Sequence, residues 1–202
     1  MSSNGQPTNG HSGAGYLELL EAAEPGDAVD IWLESTYLVR TVFVCRERMG
    51  DRVTEWRWMF LDDGSLIEAS SDGFFRYREH QVLRQGSALY EELVAQDGVL
   101  VRFEERVRQG ISARRPVHVT IDGIEYRVAS TGTAEMERRG DEPDILPWSS
   151  INRDPASNVY FGLVDTADEE HMALGLWTAH ICISTGRPLE ETQISGVFRQ
   201  GG

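Results

Sequence analysis

His180 and Cys182 stand two apart in a stretch, Ala173 to Ser184, that reads as a β-strand, so their side chains share a face with Leu176 and Thr178. A thiolate–imidazole pair is the chemistry such neighbours suggest, because a nearby imidazolium lowers a thiol pKa. Parallel side chains ~6–7 Å apart on one strand suit burial better than a hydrogen-bonded dyad, so a core pair is expected. Asp165, Asp168, Glu169, Glu170 and His171 crowd one turn. Carboxylates at this density could hold Ca²⁺ or Mg²⁺. EF-hand spacing is absent, however, and no glycine stands where such a loop needs one, so a solvated acidic turn is expected. Glu142 and Asp144 with Asp165 could form the carboxylate pair of a hydrolase, but nothing in the sequence places them together. Trp56, Trp58 and Phe60 fall on one face at period 2, either as a stacking platform or as sheet core, with core the expectation. The final Gly201-Gly202 resembles the di-glycine end of ubiquitin-like modifiers and sulfur carriers. No catalytic, cofactor-binding or metal-binding residue is assigned. The acidic residues Glu142, Asp165, Asp168, Glu169 and Glu170 are the candidate interaction surface, and Gly201 and Gly202 the candidate tail chemistry.

Composition removes whole classes of chemistry. The 202 residues carry a net charge of -14, and phosphate contact needs a basic stripe, so nucleic-acid binding is not expected. The chain has no lysine, its 19 cationic side chains all being arginine. A Schiff-base lysine and a P-loop lysine are therefore excluded. G-x-S-x-G and G-x-G-x-x-G are absent as well. Cys45 and Cys182 form no C-x-x-C motif and read as small apolar fillers in a reducing compartment. No apolar run is long enough to span a bilayer, and Met1 to Gly15 carries no apolar segment, so membrane insertion is not expected and a cytoplasmic location is.

The elements that must position these residues are short strands at hairpin spacing. One pattern occurs twice: Gly26 to Ile31, Tyr37 to Val39 and Trp56 to Phe60, then Pro116 to Ile121, Tyr126 to Val128 and Trp148. The spacing predicts equivalent hairpins with Tyr37 and Tyr126 at matching positions and a longer turn or bulge in the first. Asp63-Gly64, Asp72-Gly73 and Asp122-Gly123 are turn pairs, since glycine accepts the positive φ such turns need. A helix is predicted over Ala88 to Gln96, with Ser87 as N-cap and Gly98 closing it. Val99, Val101, Phe103 and Val107 then alternate as a strand or twisted ribbon. Gly140 to Pro155 is a proline-rich loop, and Gly186-Arg187-Pro188 a turn.

Several of these features together are similar to one bacterial family. They are Gly26-Asp27-x-Val29, Tyr37-x-Val39, Trp56-x-x-x-Phe60-Leu61, and Gly140-x-Glu142-Pro143 followed by Tyr160 to Asp165. An acidic turn and a late strand ending near Gly186 complete the set. From Gly26 to about Ile194 the chain resembles the family catalogued as domain of unknown function 4178. The resemblance implies a β-rich accessory domain without assigned activity. Members tend to be encoded beside membrane-stress and small membrane proteins, a context that suggests an adaptor role.

The expected fold is mainly β, with two related small antiparallel barrel-like or curled-sheet units joined by a short helix. Residues 1–15 form a disordered tail, 16–85 the first β-unit, 86–115 the helix and connecting strand, and 116–202 the second β-unit. The expected function is a non-catalytic interaction or adaptor module with a protein partner and no cofactor. The competing classes are a hydrolase or metal-dependent enzyme using the acidic loops, and a di-glycine-tailed modifier. Since no ligand set has recognised spacing, chelation should leave the melting temperature unchanged. A stoichiometric metal found by elemental analysis would direct attention to Asp165 to His171.

Overall fold

Long strands of alternating character present two faces, and this chain buries both. A computed structural model describes residues 15–71, 73–95, 98–108, 117–167, 172–177 and 180–200. Residues 1–14 of the expected tail, Asp168, Glu169, Glu170, His171, Thr178, Gly201 and Gly202 lie outside the described residues. The elements are α1 (Tyr16–Glu21), β1 (Ala28–Ile31), β2 (Thr36–Met49), β3 (Arg52–Leu61), β4 (Leu66–Ser70), β5 (Gly73–Leu83), α2 (Ala88–Val94) and α3 (Val99–Arg108). There follow β6 (His118–Ile121), β7 (Ile124–Gly140), β8 (Ala156–Asp165), β9 (Met172–Trp177), β10 (Ile181–Pro188) and β11 (Ile194–Phe198).

The protein is mainly β and contains an eight-stranded closed antiparallel barrel. Two meanders, β2-β3-β4-β5 and β7-β8-β9-β10, meet at two seams. At one, β5 pairs with β10 from Leu83↔Ile181 to Phe75↔Pro188. At the other, β2 pairs with β7 from Thr41↔Gly140 to Arg46↔Glu135. The segments 16–85 and 116–202 thus each supply four strands to one barrel. β1 extends from β2 and carries β11 on its other side, while β6 extends from β7. The two entry hairpins have like registers: Val29 faces Tyr37, and Val119 faces Tyr126. The pairing of each long strand shifts three residues later, between Val39 and Thr41 and between Val128 and Ser130. Such bulges bend a strand and help a sheet close.

Closure creates three apolar clusters. Inside the barrel lie Phe43, Cys45, Trp56, Trp58, Phe60, Leu66, Met136 and Cys182. The loop after β7 adds Trp148, fully buried within 5.3 Å of Phe43, 5.4 Å of Trp58 and 5.3 Å of Phe60, measured between rings. The aromatic strand face is therefore core and not an open platform. On one outer wall, α1, β1 and β11 bring Leu20, Val29 and Ile194 against Val42, Met59 and Ile67. On another, Leu93, Val94, Val99 and Leu100 from α2 and α3 cover Phe161, Leu163, Ile181 and Ile183. Two interior hydroxyls are paired: that of Tyr160 donates to Glu47 at 2.8 Å and that of Tyr77 to Glu68 at 2.9 Å. His80 Nε2 lies 3.0 Å from the Gly64 carbonyl and Nδ1 2.8 Å from Ser184 Oγ. A carbonyl only accepts, so the proton sits on Nε2 and Nδ1 accepts from the serine. Burial lowers this imidazole's pKa, which keeps it neutral.

Three local expectations need correction. Val99 to Arg108 is helical, not a strand: Val99 and Leu100 side by side are both buried, which one helix stripe allows and a period-2 strand does not. Ala173 to Ser184 is two strands, because β9 and β10 form a hairpin with Trp177 opposite Ile181. Gly186-Arg187-Pro188 continues β10 rather than turning the chain. The helix after Ser87 does form, and the Ser87 hydroxyl oxygen accepts from the Tyr90 N–H at 3.3 Å.

Trp148 fills the barrel's centre yet belongs to no strand. Trp148→Ala should cost about 3–5 kcal/mol in urea unfolding, as large aromatic deletions in cores do. A cost below about 1 kcal/mol would mean that the loop does not seal the interior.

Candidate functional site

Backbone strain marks one turn. Among the described residues only Leu33 and Asp122 combine a side chain with positive φ, at +62° and +50°. Asp122 precedes Gly123 in the tight β6–β7 turn, where aspartate tolerates the left-handed region. Leu33 has no such excuse, since a bulky residue there costs roughly 1–2 kcal/mol. It is also 90% exposed, and its neighbour Trp32 is 62% exposed. Two apolar side chains therefore stand in water on a conformation that glycine would adopt freely.

The rest of this β1–β2 turn is held firmly. The Ile31 N–H donates to the Ser35 carbonyl at 3.0 Å, and the Trp32 N–H to the Gln193 carbonyl at 2.7 Å. Glu34 accepts from Arg76 at 2.6 Å, from Arg78 at 2.7 Å and from the Tyr37 hydroxyl at 3.1 Å. Arg76 is buried, donates also to Asp63 at 2.9 Å and Ser65 at 3.1 Å, and lies 4.4 Å above the Tyr37 ring. Its planar fork meets two carboxylates and an aromatic face at once, a combination lysine cannot make. Burial works to raise the Glu34 carboxyl pKa, but Arg76, Tyr37 and Arg78 outweigh it and hold it below its ordinary value. Asp63 behaves alike: burial raises it, and Ser65 and Arg76 together bring it lower.

A cleft of about 550 Å³ opens beside this turn, over the β5–β10 seam. Glu34 and Asp122 both line it, so each of the two turns with a left-handed residue contributes to one depression. Its floor is the irregularity between Thr185 and Gly186, where two residues of β5 oppose one step of β10. A Cβ on Gly186 would come 2.0 Å from the Arg76 carbonyl oxygen, so only glycine fits this floor. A recess of about 250 Å³ continues the cleft and shares Glu79, Asp122 and Thr185 with it.

Residues singled out in the sequence are scattered. His180 is exposed just before β10 begins, whereas Cys182 is buried in the barrel, so no dyad forms. Burial, partly offset by Ser184, Trp148 and Gln81, raises the Cys182 thiol pKa to about 11, which makes it unreactive. Glu142 is exposed beyond the end of β7 and pairs with Arg138 at 3.5 Å. Asp165 is buried at the opposite end of that strand, in register with Tyr126. The length of β7 therefore separates the proposed carboxylate pair. Asp165 pairs across the sheet with the cleft residue Tyr126 without lining the cleft itself, while Asp168, Glu169, Glu170, Gly201 and Gly202 lie outside the described residues.

The cleft residues Glu34, Arg76, Arg78, Glu79, Tyr126 and Thr185 were not signalled by any motif. The detectable hint was Trp32-Leu33, an apolar pair where a hairpin needs polar turn residues. Comparison of the chain with family models, curated proteins and solved structures finds no match.

The lowered carboxyl pKa values fix a direction for acid. In the unfolded chain Glu34 and Asp63 bind protons at higher pH than in the fold, so their stabilisation is complete above about pH 4.5. It is lost as pH falls through the lowered folded values. Glu34→Gln should cost roughly 1–2 kcal/mol at pH 7, a modest figure because Glu34 is about one-third exposed. Urea titrations at pH 7 and pH 3 should show a smaller acid loss for the variant than for the native chain. Parallel losses would show that Glu34 does not anchor the turn.

Proposed function

We propose that this protein is a non-catalytic interaction module that docks a partner protein on the Trp32–Leu33 turn and the adjoining cleft. The observation that carries the reading is Leu33, which bears a strained conformation and full exposure without serving the chain's own packing. The Glu34–Arg76–Asp63 network supports it by holding the apolar pair in place before binding, which lowers the entropy lost on docking. The resemblance of Gly26 to Ile194 to an adaptor-like bacterial family points the same way. Two buried free cysteines accord with a cytoplasmic setting. We also read the two halves as related units: like hairpin registers, a shift three residues on in each long strand, and meanders of equal strand number support a common origin.

The acidic-loop surface is accordingly moved. Of the residues first considered, Asp165 adjoins the cleft, whereas Glu142 stands at the far end of β7.

Leu33→Gly separates docking from folding. Removing the side chain from a left-handed position should leave stability unchanged or raise it by about 1 kcal/mol. Quantitative affinity capture from the native host, with mass spectrometry, should show the main partner reduced at least tenfold on the variant. Equal recovery on both chains would end this reading.

A further inference from the structure

The far end of the cleft has a charge balance of its own. Three arginines line the cleft: Arg76, Arg78 and Arg187. Glu34 and Asp63 neutralise Arg76, and Glu34 also pairs with Arg78. Arg187 stands opposite Arg76 on β10 and has a partner of its own. Glu79 and Asp122 differ. Both are exposed, both line the cleft and its recess, and neither has an ion-pair partner among the described residues. They come from different elements, β5 and the β6–β7 turn.

Tyr126 lines the same cleft. Its side chain is 1% exposed and lines the cleft, and its hydroxyl makes no hydrogen bond among the described residues. Its oxygen is not fully enclosed, so a ligand group in the cleft can reach it. Burial, followed by the charges of Asp165, Asp122 and Glu79, raises its pKa, so it stays a neutral phenol whose oxygen can accept. Two carboxylates without an ion-pair partner among the described residues and one phenol thus line the same cleft, whose three arginines are each already paired. Among the described residues no three metal-ligating side chains gather closely enough to hold a metal ion, which favours an organic cation. A guanidinium, broad and planar with several donors, suits two carboxylates and a phenol oxygen that line one cleft.

We propose that Glu79, Asp122 and Tyr126 form a subsite for the cationic head of a basic side chain, arginine above lysine, carried by the docked partner segment. The proposal rests on the docking reading above and gives it chemistry. The partner's extended segment places an arginine between Glu79 and Asp122, while an apolar neighbour covers Trp32 and Leu33.

The test uses the full chain and two small probes, Nα-acetyl-arginine methylamide and its citrulline counterpart, which has the same shape without the charge. Titration followed by two-dimensional NMR should give saturable shifts at Glu79, Asp122, Thr185 and Tyr126 with the arginine probe, and none with citrulline. A dissociation constant in the millimolar range is expected for one side chain on its own. Glu79→Gln combined with Asp122→Asn should weaken binding at least tenfold, and Asn keeps the left-handed turn. Tyr126→Phe, which removes only the hydroxyl, should weaken it two- to fivefold, and thermal midpoints of all variants should confirm folding. No saturable shift, equal binding of citrulline, or indifference to the double substitution overturns the subsite. The docking reading is judged separately by Leu33→Gly, whose partner capture should fall while its arginine-probe titration stays native.

Discussion

The pairing of β2 with β7 is the constraint on which the rest depends. Six rungs from Thr41↔Gly140 to Arg46↔Glu135 turn an open curl into a closed wall. Once the wall closes, every strand has an inside to fill, and the filling is aromatic. Trp56, Trp58, Phe43 and Phe60 meet edge to face or tilted, arrangements that suit ring quadrupoles. Among the described residues the indole nitrogen of Trp58 has no hydrogen-bond partner, so packing outweighs a polar cost of about 1–3 kcal/mol there. A barrel filled in this way has little room to host a ligand at its centre, and recognition moves to the outer wall. The β5–β10 seam, where the strand pairing is irregular, supplies the depression.

How much of this was legible follows from how far each signal reaches along the chain. Asp63-Gly64 and Asp122-Gly123 are read locally and do form turns. The Trp56, Trp58 and Phe60 face is a period-2 pattern and proves to be core. The opposite face of that strand is less legible. Arg57 looks like a solvent residue, yet α1 covers it, and its guanidinium donates to the Ala23 carbonyl and to Glu24. Val99 to Arg108 misled because β-branched residues at alternate positions look like a strand. Their helical stripe becomes visible only against the wall that α3 covers. The closing seams could not be read, since they join positions with no local signature.

The cleft is still less legible, for a physical reason. Glu34, Arg76, Glu79, Asp122, Tyr126 and Thr185 come from five separate strands or turns, and each is ordinary where it stands. Their meaning lies in what they lack among the described residues: an ion-pair partner for Glu79 and Asp122, a hydrogen bond for the Tyr126 hydroxyl, and a packing reason for Leu33. A missing partner is a property of assembled space, and sequence carries no trace of it. The carboxylates that did attract attention were dense along the chain but parted by the length of β7.

The position of the seams bears on how the chain is made. Both join residues roughly a hundred positions apart, Thr41 to Gly140 and Leu83 to Ile181. During synthesis from the amino end, β2 to β5 emerge long before β10, which completes the ring only after Pro188 has been added. Until then the first meander has an unsatisfied edge along both β2 and β5, and bare edges invite pairing between nascent chains. The strongly acidic character of the whole chain then acquires a second use, as mutual repulsion between half-made copies on neighbouring ribosomes.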